Sequence, residues 1–245
     1  MKYFKIRRLL VAAVCVSAPF LAGCDKQNLS TLGMLGPTSS KVEAPPESST
    51  ATLYLTIVRG LIDQGRYRAA LGYLDQYAVS EKKTPQFSSL HGEALLGVAK
   101  YDEAATAFAS LQGTDLEAVG FNGLGRVDAS REKWSEAERH FTQAVAARPS
   151  NADYLNNLGF AEIQLGDAAS LEKAEFNLRQ ARELEPTSAS IRNNLVLALT
   201  MANKKDEARA VIDGIATSRE RAAVQKFAAD WAQKQHKPAE DRSVE

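Results

Sequence analysis

Asn122 and the pairs Asn156-Asn157 and Asn193-Asn194 are the side chains whose type and spacing most suggest chemistry in this chain of 245 residues. An amide donates and accepts at once, so a row of them can pair with the backbone of an extended peptide. Covalent and metal chemistry find no comparable pattern. No HExxH, CxxC, P-loop or G-x-S-x-G motif occurs. His91, His140 and His236 fall on separate stretches, without the spacing of metal ligands. Gly120, Gly123 and Gly125 lie on a helical pattern with no preceding strand, which a dinucleotide fingerprint requires. The carboxylates scatter along faces that read as solvent-exposed. The expectation is a non-enzyme with no catalytic residue, metal, cofactor or small-molecule substrate.

The first residues read as an address. Lys2, Lys5, Arg7 and Arg8 precede an apolar run from Leu9 to Phe20, too short for a spanning helix of roughly 20 residues. This is the pattern of a secretory signal peptide over residues 1–23. Leu21-Ala22-Gly23-Cys24 resembles the bacterial lipobox. The resemblance implies cleavage before Cys24 and lipid on that cysteine, which would tether the protein to a membrane. Cys15 lies within the signal, so the mature chain would hold no free thiol and no disulfide. Beyond residue 23 the chain carries 26 basic and 30 acidic groups. That balance disfavours nucleic acid as a partner, since phosphate binding needs a basic surface. Residues 24–50 are rich in Ser, Thr, Pro and Gly and read as a flexible tether.

The elements that must position the amides follow from a repeat. A small residue followed at +4 and +7 by apolar residues recurs at Ala70, Ala104, Ala137, Ala174 and Ala208, spaced 34, 33, 37 and 34 apart. Each has an upstream partner step: Ile57-Val58, His91-Gly92, Leu124-Gly125, Leu158-Gly159 and Leu195-Val196. Pro149 and Pro186 close two units, and Gly65-Arg66-Tyr67 and Gly166-Asp167 fit the turns inside hairpins. The fourth unit carries about three extra residues near Asp167 to Leu171, which predicts a longer turn there. His91 reads as a packed core histidine.

This pattern resembles the tetratricopeptide repeat, a 34-residue antiparallel helix pair. The resemblance implies an all-α superhelix of about five hairpins over residues 51–219. Helix pairs approaching to about 8–10 Å need small residues at the crossing, and the alanines and Gly92, Gly125 and Gly159 supply them, with the large +4 residues filling the gap to the next hairpin. Residues 220–236 read as a capping helix, its apolar stripe Val224, Phe227, Ala228 and Trp231. Residues 237–245 read as a polar tail. By the repeat phase Asn122, Arg126, Asn156, Phe160, Asn193 and Leu197 face the concave groove, with Asn157 and Asn194 one step later. The repeat resemblance implies that asparagines at that step bond an extended peptide. The other reading is that they hold neighbouring hairpins together. Phe160 could anchor an apolar side chain.

Tyr154-Leu-Asn-Asn-Leu-Gly-Phe-Ala-Glu-Ile-Gln-Leu-Gly-Asp167 and Ile191-Arg-Asn-Asn-Leu-Val-Leu-Ala-Leu199, behind a lipobox and a polar tether, resemble the TadD family of tight-adherence (Flp) pilus assembly lipoproteins. The resemblance implies a periplasm-facing scaffold on the outer membrane whose protein partner is a pilus secretin, with the protein acting as its pilotin. Asp25, directly after Cys24, leaves the inner membrane as an alternative. Two other functions fit the same architecture: a pilotin of the type IVa pilus, and an envelope adaptor for peptidoglycan enzymes or outer-membrane protein assembly.

Overall fold

The computed structural model describes residues 47–235, and every regular element within them is a helix. The signal peptide, Cys24, the tether up to residue 46, His236 and the polar tail lie outside the described residues. Five hairpins follow one another: α1 (Glu47–Asp63) with α2 (Tyr67–Ser80), α3 (Pro85–Gly97) with α4 (Tyr101–Ala109), α5 (Glu117–Ser130) with α6 (Trp134–Ala147), α7 (Ala152–Leu165) with α8 (Ala168–Leu184), and α9 (Ala189–Met201) with α10 (Lys205–Asp213). A last helix, α11 (Ser218–Gln235), packs on α9 and α10. Each hairpin touches the next, and first helices of successive hairpins also touch, which is the stacking of a solenoid. Helix α1 takes in residues 47–50, which the composition assigns to the tether. Acidic and hydroxyl side chains suit the first turn of a helix, so the polar composition of Glu47 to Thr50 does not exclude it.

The hairpins turn on one left-handed residue each. Gly65, Ala99, Glu132, Gly166 and Asn203 have φ of +70°, +62°, +58°, +75° and +59°. In four of them the next residue closes the first helix with a six-to-one backbone bond: Arg66 N–H to Leu61 O, Lys100 to Leu95, Lys133 to Asp128 and Lys204 to Leu199, at 2.8–3.0 Å. The fourth hairpin differs. Gly166 N–H bonds Glu162 O at 3.4 Å. Asp167 caps α8 by accepting from Ser170 N–H (3.0 Å) and Ser170 Oγ–H (2.5 Å). Its turn is no longer than the others. The extra residues lie inside α8, which begins a turn early and runs 17 residues against 14 for α6. A strong cap makes helix a more favourable place for an insertion than loop.

The glycines on the first helices are required by close approach. A Cβ on Gly125 would lie 2.6 Å from the Phe141 ring, and one on Gly159 2.6 Å from Leu178 Cγ. The large +4 residues therefore press first on their own hairpin. Phe108 does both jobs, wedged between Gly92 of its hairpin and Gly123 of the next. The five repeat alanines are buried. His91 is half-buried, its ring 5.4 Å from that of Phe87, and burial lowers its pKa below the ordinary histidine value. In α11, Val224 and Ala228 are buried and Trp231 packs against the core, while Phe227 stands half-exposed at the edge of the stripe, its ring 5.8 Å from that of Trp231.

Candidate partner-binding groove

One position per first helix forms a column along the array: Arg59, Glu93, Arg126, Phe160 and Leu197. Its chemistry changes from end to end. Arg59 donates to Glu93 at 2.8 Å, joining α1 to α3. Arg126 is exposed on α5, and its side chain makes no hydrogen bond or ion pair to any described residue. Phe160 is half-buried, its ring 6.0 Å from Trp134 and 6.3 Å from Trp231 of α11. The first pair is edge-to-face and the second tilted, both within the range of favourable aromatic contacts. Leu197 corrects the expectation of a groove-facing side chain. It is 0% exposed and shares a core cluster with Val224 and Ala228 of α11. The last helix thus covers the α9 end of the column, where Arg192 also pairs with Glu220 at 2.5 Å.

The asparagines bond to one another. Asn157 Nδ2 donates to Asn122 Oδ1, and Asn194 Nδ2 donates to Asn156 Oδ1, both at 2.9 Å. The two bonds run between first helices of successive hairpins, α5 to α7 and α7 to α9. Asn193 instead accepts from Arg192 on its own helix at 3.4 Å. All five amides are half-buried. Each inter-helix bond uses one donor or acceptor per amide, which leaves Asn122 Nδ2 and Asn157 Oδ1 without a partner among the described residues. The amides thus tie the stack together while retaining groups that can meet a peptide.

A groove of about 400 Å³ gathers the open part of this surface. Arg126, Asn157 and Phe160 line it together, joined by Tyr67, Glu93 and Ser130. Asn122, Asn156, Asn193, Asn194 and Leu197 do not reach it. Glu93 belongs to the same column and was legible from the repeat phase. Tyr67, which starts α2 and packs against Gly97, lies outside the phase and had no sequence signal. The site presents one cation with no partner among the described residues, one paired carboxylate, an aromatic wall and the open Oδ1 of Asn157, which suits an extended or helical peptide segment.

One acidic residue departs from the expectation that carboxylates lie in solvent. Glu162 is 2% exposed, facing α8 from α7, and Asn177 Nδ2 donates to both its oxygens at 3.0 and 2.9 Å. Burial pushes its pKa up to about 7, against the opposing pull of the Asn177 bond. Among the described residues no group of three metal-ligating side chains gathers, and no helix is long and apolar enough to cross a membrane.

Comparison with known proteins agrees with this geometry. The tetratricopeptide-repeat family profile matches residues 55–119 and 122–170. No curated protein sequence matches. Among solved structures the array resembles pilF of Pseudomonas aeruginosa (TM-score 0.61, 14% identity, covering 76% of this chain and 86% of that one). It also resembles a thermophilic tetratricopeptide-repeat protein of Thermus thermophilus (TM-score 0.58, 20% identity, 74% and 97%). A third likeness is MamA of Desulfovibrio magneticus RS-1 (TM-score 0.51, 23% identity, 76% and 97%). At these identities the likeness speaks for the fold, and the chain has the fold of the tetratricopeptide-repeat superhelix.

Proposed function

We propose that the protein is a non-catalytic scaffold, lipid-anchored through Cys24 and facing the periplasm from the outer membrane, that binds a protein partner for assembly of the tight-adherence (Flp) pilus. The partner we assign is the pilus secretin, one of whose segments would lie in the groove until the protomer assembles. The observation that carries the binding role is the convergence of Arg126, Asn157 and Phe160 on one open groove. The lipobox, the polar tether and the Asn-Asn repeats support the pilus assignment. A membrane tether raises the effective concentration of any partner in the same membrane, so a weak groove suffices. The same anchor and repeats keep a type IVa pilotin as the second reading.

The test is a crosslinked pull-down from cell envelopes with the full chain, its Cys24→Ser form and an Arg126→Glu, Asn157→Ala form as baits. The expected result is recovery of a secretin with the full chain, strongly reduced with both variants. Exposed Arg126 tolerates the change, so the groove variant should keep its melting temperature to within the loss of one hydrogen bond, about 1 kcal/mol. Recovery of peptidoglycan hydrolases or barrel-assembly proteins in place of the secretin would replace the pilus assignment with the envelope-adaptor role. Unchanged capture by the groove variant would move the binding surface elsewhere.

A further inference from the structure

The first hairpin carries an apolar face that later hairpins bury. Leu53 is 62% exposed, yet its equivalents one, three and four repeats on, Phe87, Tyr154 and Ile191, are all buried. Ile57 is 45% exposed, while Leu158 and Leu195 at the same position are buried. Gly60 stands where the later units place Ala94, Val127, Ala161 and Ala198, each at most 1% exposed. A Cβ on Gly60 would meet nothing within 4 Å. Tyr73 of α2, at 43% exposure, borders this stripe, its ring 5.6 Å from that of Tyr54. On the first helix of each later hairpin this is the side packed on the preceding unit. The first hairpin therefore displays one half of an interface that the chain itself builds four times.

We propose that this face is covered by a second copy of the chain, stacked hairpin against hairpin about a twofold axis. The face is self-complementary. On α1 a large residue, Ile57, lies one turn from a missing side chain, Gly60. A twofold axis crossing α1 midway between Ile57 and Gly60 runs the helix antiparallel to its counterpart. It sets Ile57 into the gap at the second copy's Gly60, and the reverse contact follows by symmetry. Leu53, Ile57, Gly60 and Tyr73 carry no charge, so two copies bring no like charges together at the centre. One hairpin face is small beside a standard interface of about 800 Å² per partner. The dimer is accordingly weak and concentration-dependent.

Sedimentation velocity of the purified full chain over a hundredfold range of concentration tests this. The expected result is reversible dimerisation, weakened about tenfold or more by Ile57→Lys and by Gly60→Glu. Both sites are open, so helical circular dichroism and melting should be unchanged. A one-to-one mixture of the two variants should regain dimer, because it places the introduced lysine of one copy opposite the introduced glutamate of the other and leaves the symmetric contact native. A monomer at every concentration would assign the face to a foreign helix and overturn the proposal. A dimer indifferent to both substitutions would overturn it as well.

Discussion

Glu162 shows how far one side chain can depart from what its neighbours in sequence suggest. It sits between Ala161 and Ile163, both buried, on a helix whose buried stripe is broad enough to include it. Its carboxylate accepts from an amide and forms no ion pair among the described residues; the nearby Lys173 only partly offsets the burial. The folded protein therefore holds the proton to about pH 7, whereas the unfolded chain releases it near the ordinary glutamate value of 4.5. Stability from this group is fully present below that lower value and is lost as pH rises, the loss being complete above about 7. A shift of this size corresponds to on the order of 3 kcal/mol. Urea denaturation at pH 5 and pH 8 should show the folded state weaker at the higher pH. Glu162→Gln should flatten the difference, since a rotated Asn177 can pair with a neutral amide through one donor and one acceptor. An equal pH slope in the variant would assign the dependence to another group. From sequence, Glu162 is one of many glutamates. Its burial depends on α8 lying over it, and no local pattern reports that.

At the scale of the element, the hairpin turns are the most regular feature and the least uniform in sequence. The backbone needs a positive φ at Gly65, Ala99, Glu132, Gly166 and Asn203, and glycine supplies it without strain at only two of them. Ala99→Gly and Glu132→Gly should each stabilise by about 0.5–1 kcal/mol, and Gly166→Ala should destabilise by a similar amount. Denaturant midpoints of the three variants check this. Glycine at 65 and 166 made two turns legible in the sequence, while alanine, glutamate and asparagine hid the left-handed residue of the others. The same limit explains the fourth hairpin. Spacing alone locates an insertion of three residues but cannot say whether loop or helix absorbs it. Asp167 and Ser170, which decide for helix, act through a cap that only the backbone geometry displays. The asparagines carry both readings for a similar reason. Their spacing placed them on adjoining first helices, and the bonds from Asn157 to Asn122 and from Asn194 to Asn156 tie the hairpins. Asn157 alone of the bonded pairs also lines the open groove.

At the scale of the whole array, five hairpins and a closing helix were legible because each unit repeats the same small and large residues at the same phase. What the phase could not show is where the array is closed. Leu197 was assigned to the groove by its column, and only the packing of α11 over α9 withdraws it. Stability should follow the same asymmetry. In a solenoid each unit is held by its neighbours. The α9 end has α11, and the α1 end shows an open apolar face. Backbone amides of α1 and α2 should therefore exchange with solvent faster than those of α7 and α9, measured by native-state hydrogen exchange at low protein concentration. Uniform protection along the array would mean that it opens only as a single unit.

One end shut and one end open also gives the array a mechanical polarity. Tension applied at residue 47 first meets the hairpin that has a single neighbour among the described residues. Peeling it leaves the next hairpin in the same position, so the load is met by one inter-hairpin seam at a time, while the seam under α11 yields last. The array would release length in steps of about 34 residues and refold in the reverse order once the load is removed. The groove lined by Arg126, Asn157 and Phe160 lies in the middle of that sequence of steps, so it outlasts the first hairpin under strain and is lost before the end that α11 holds shut.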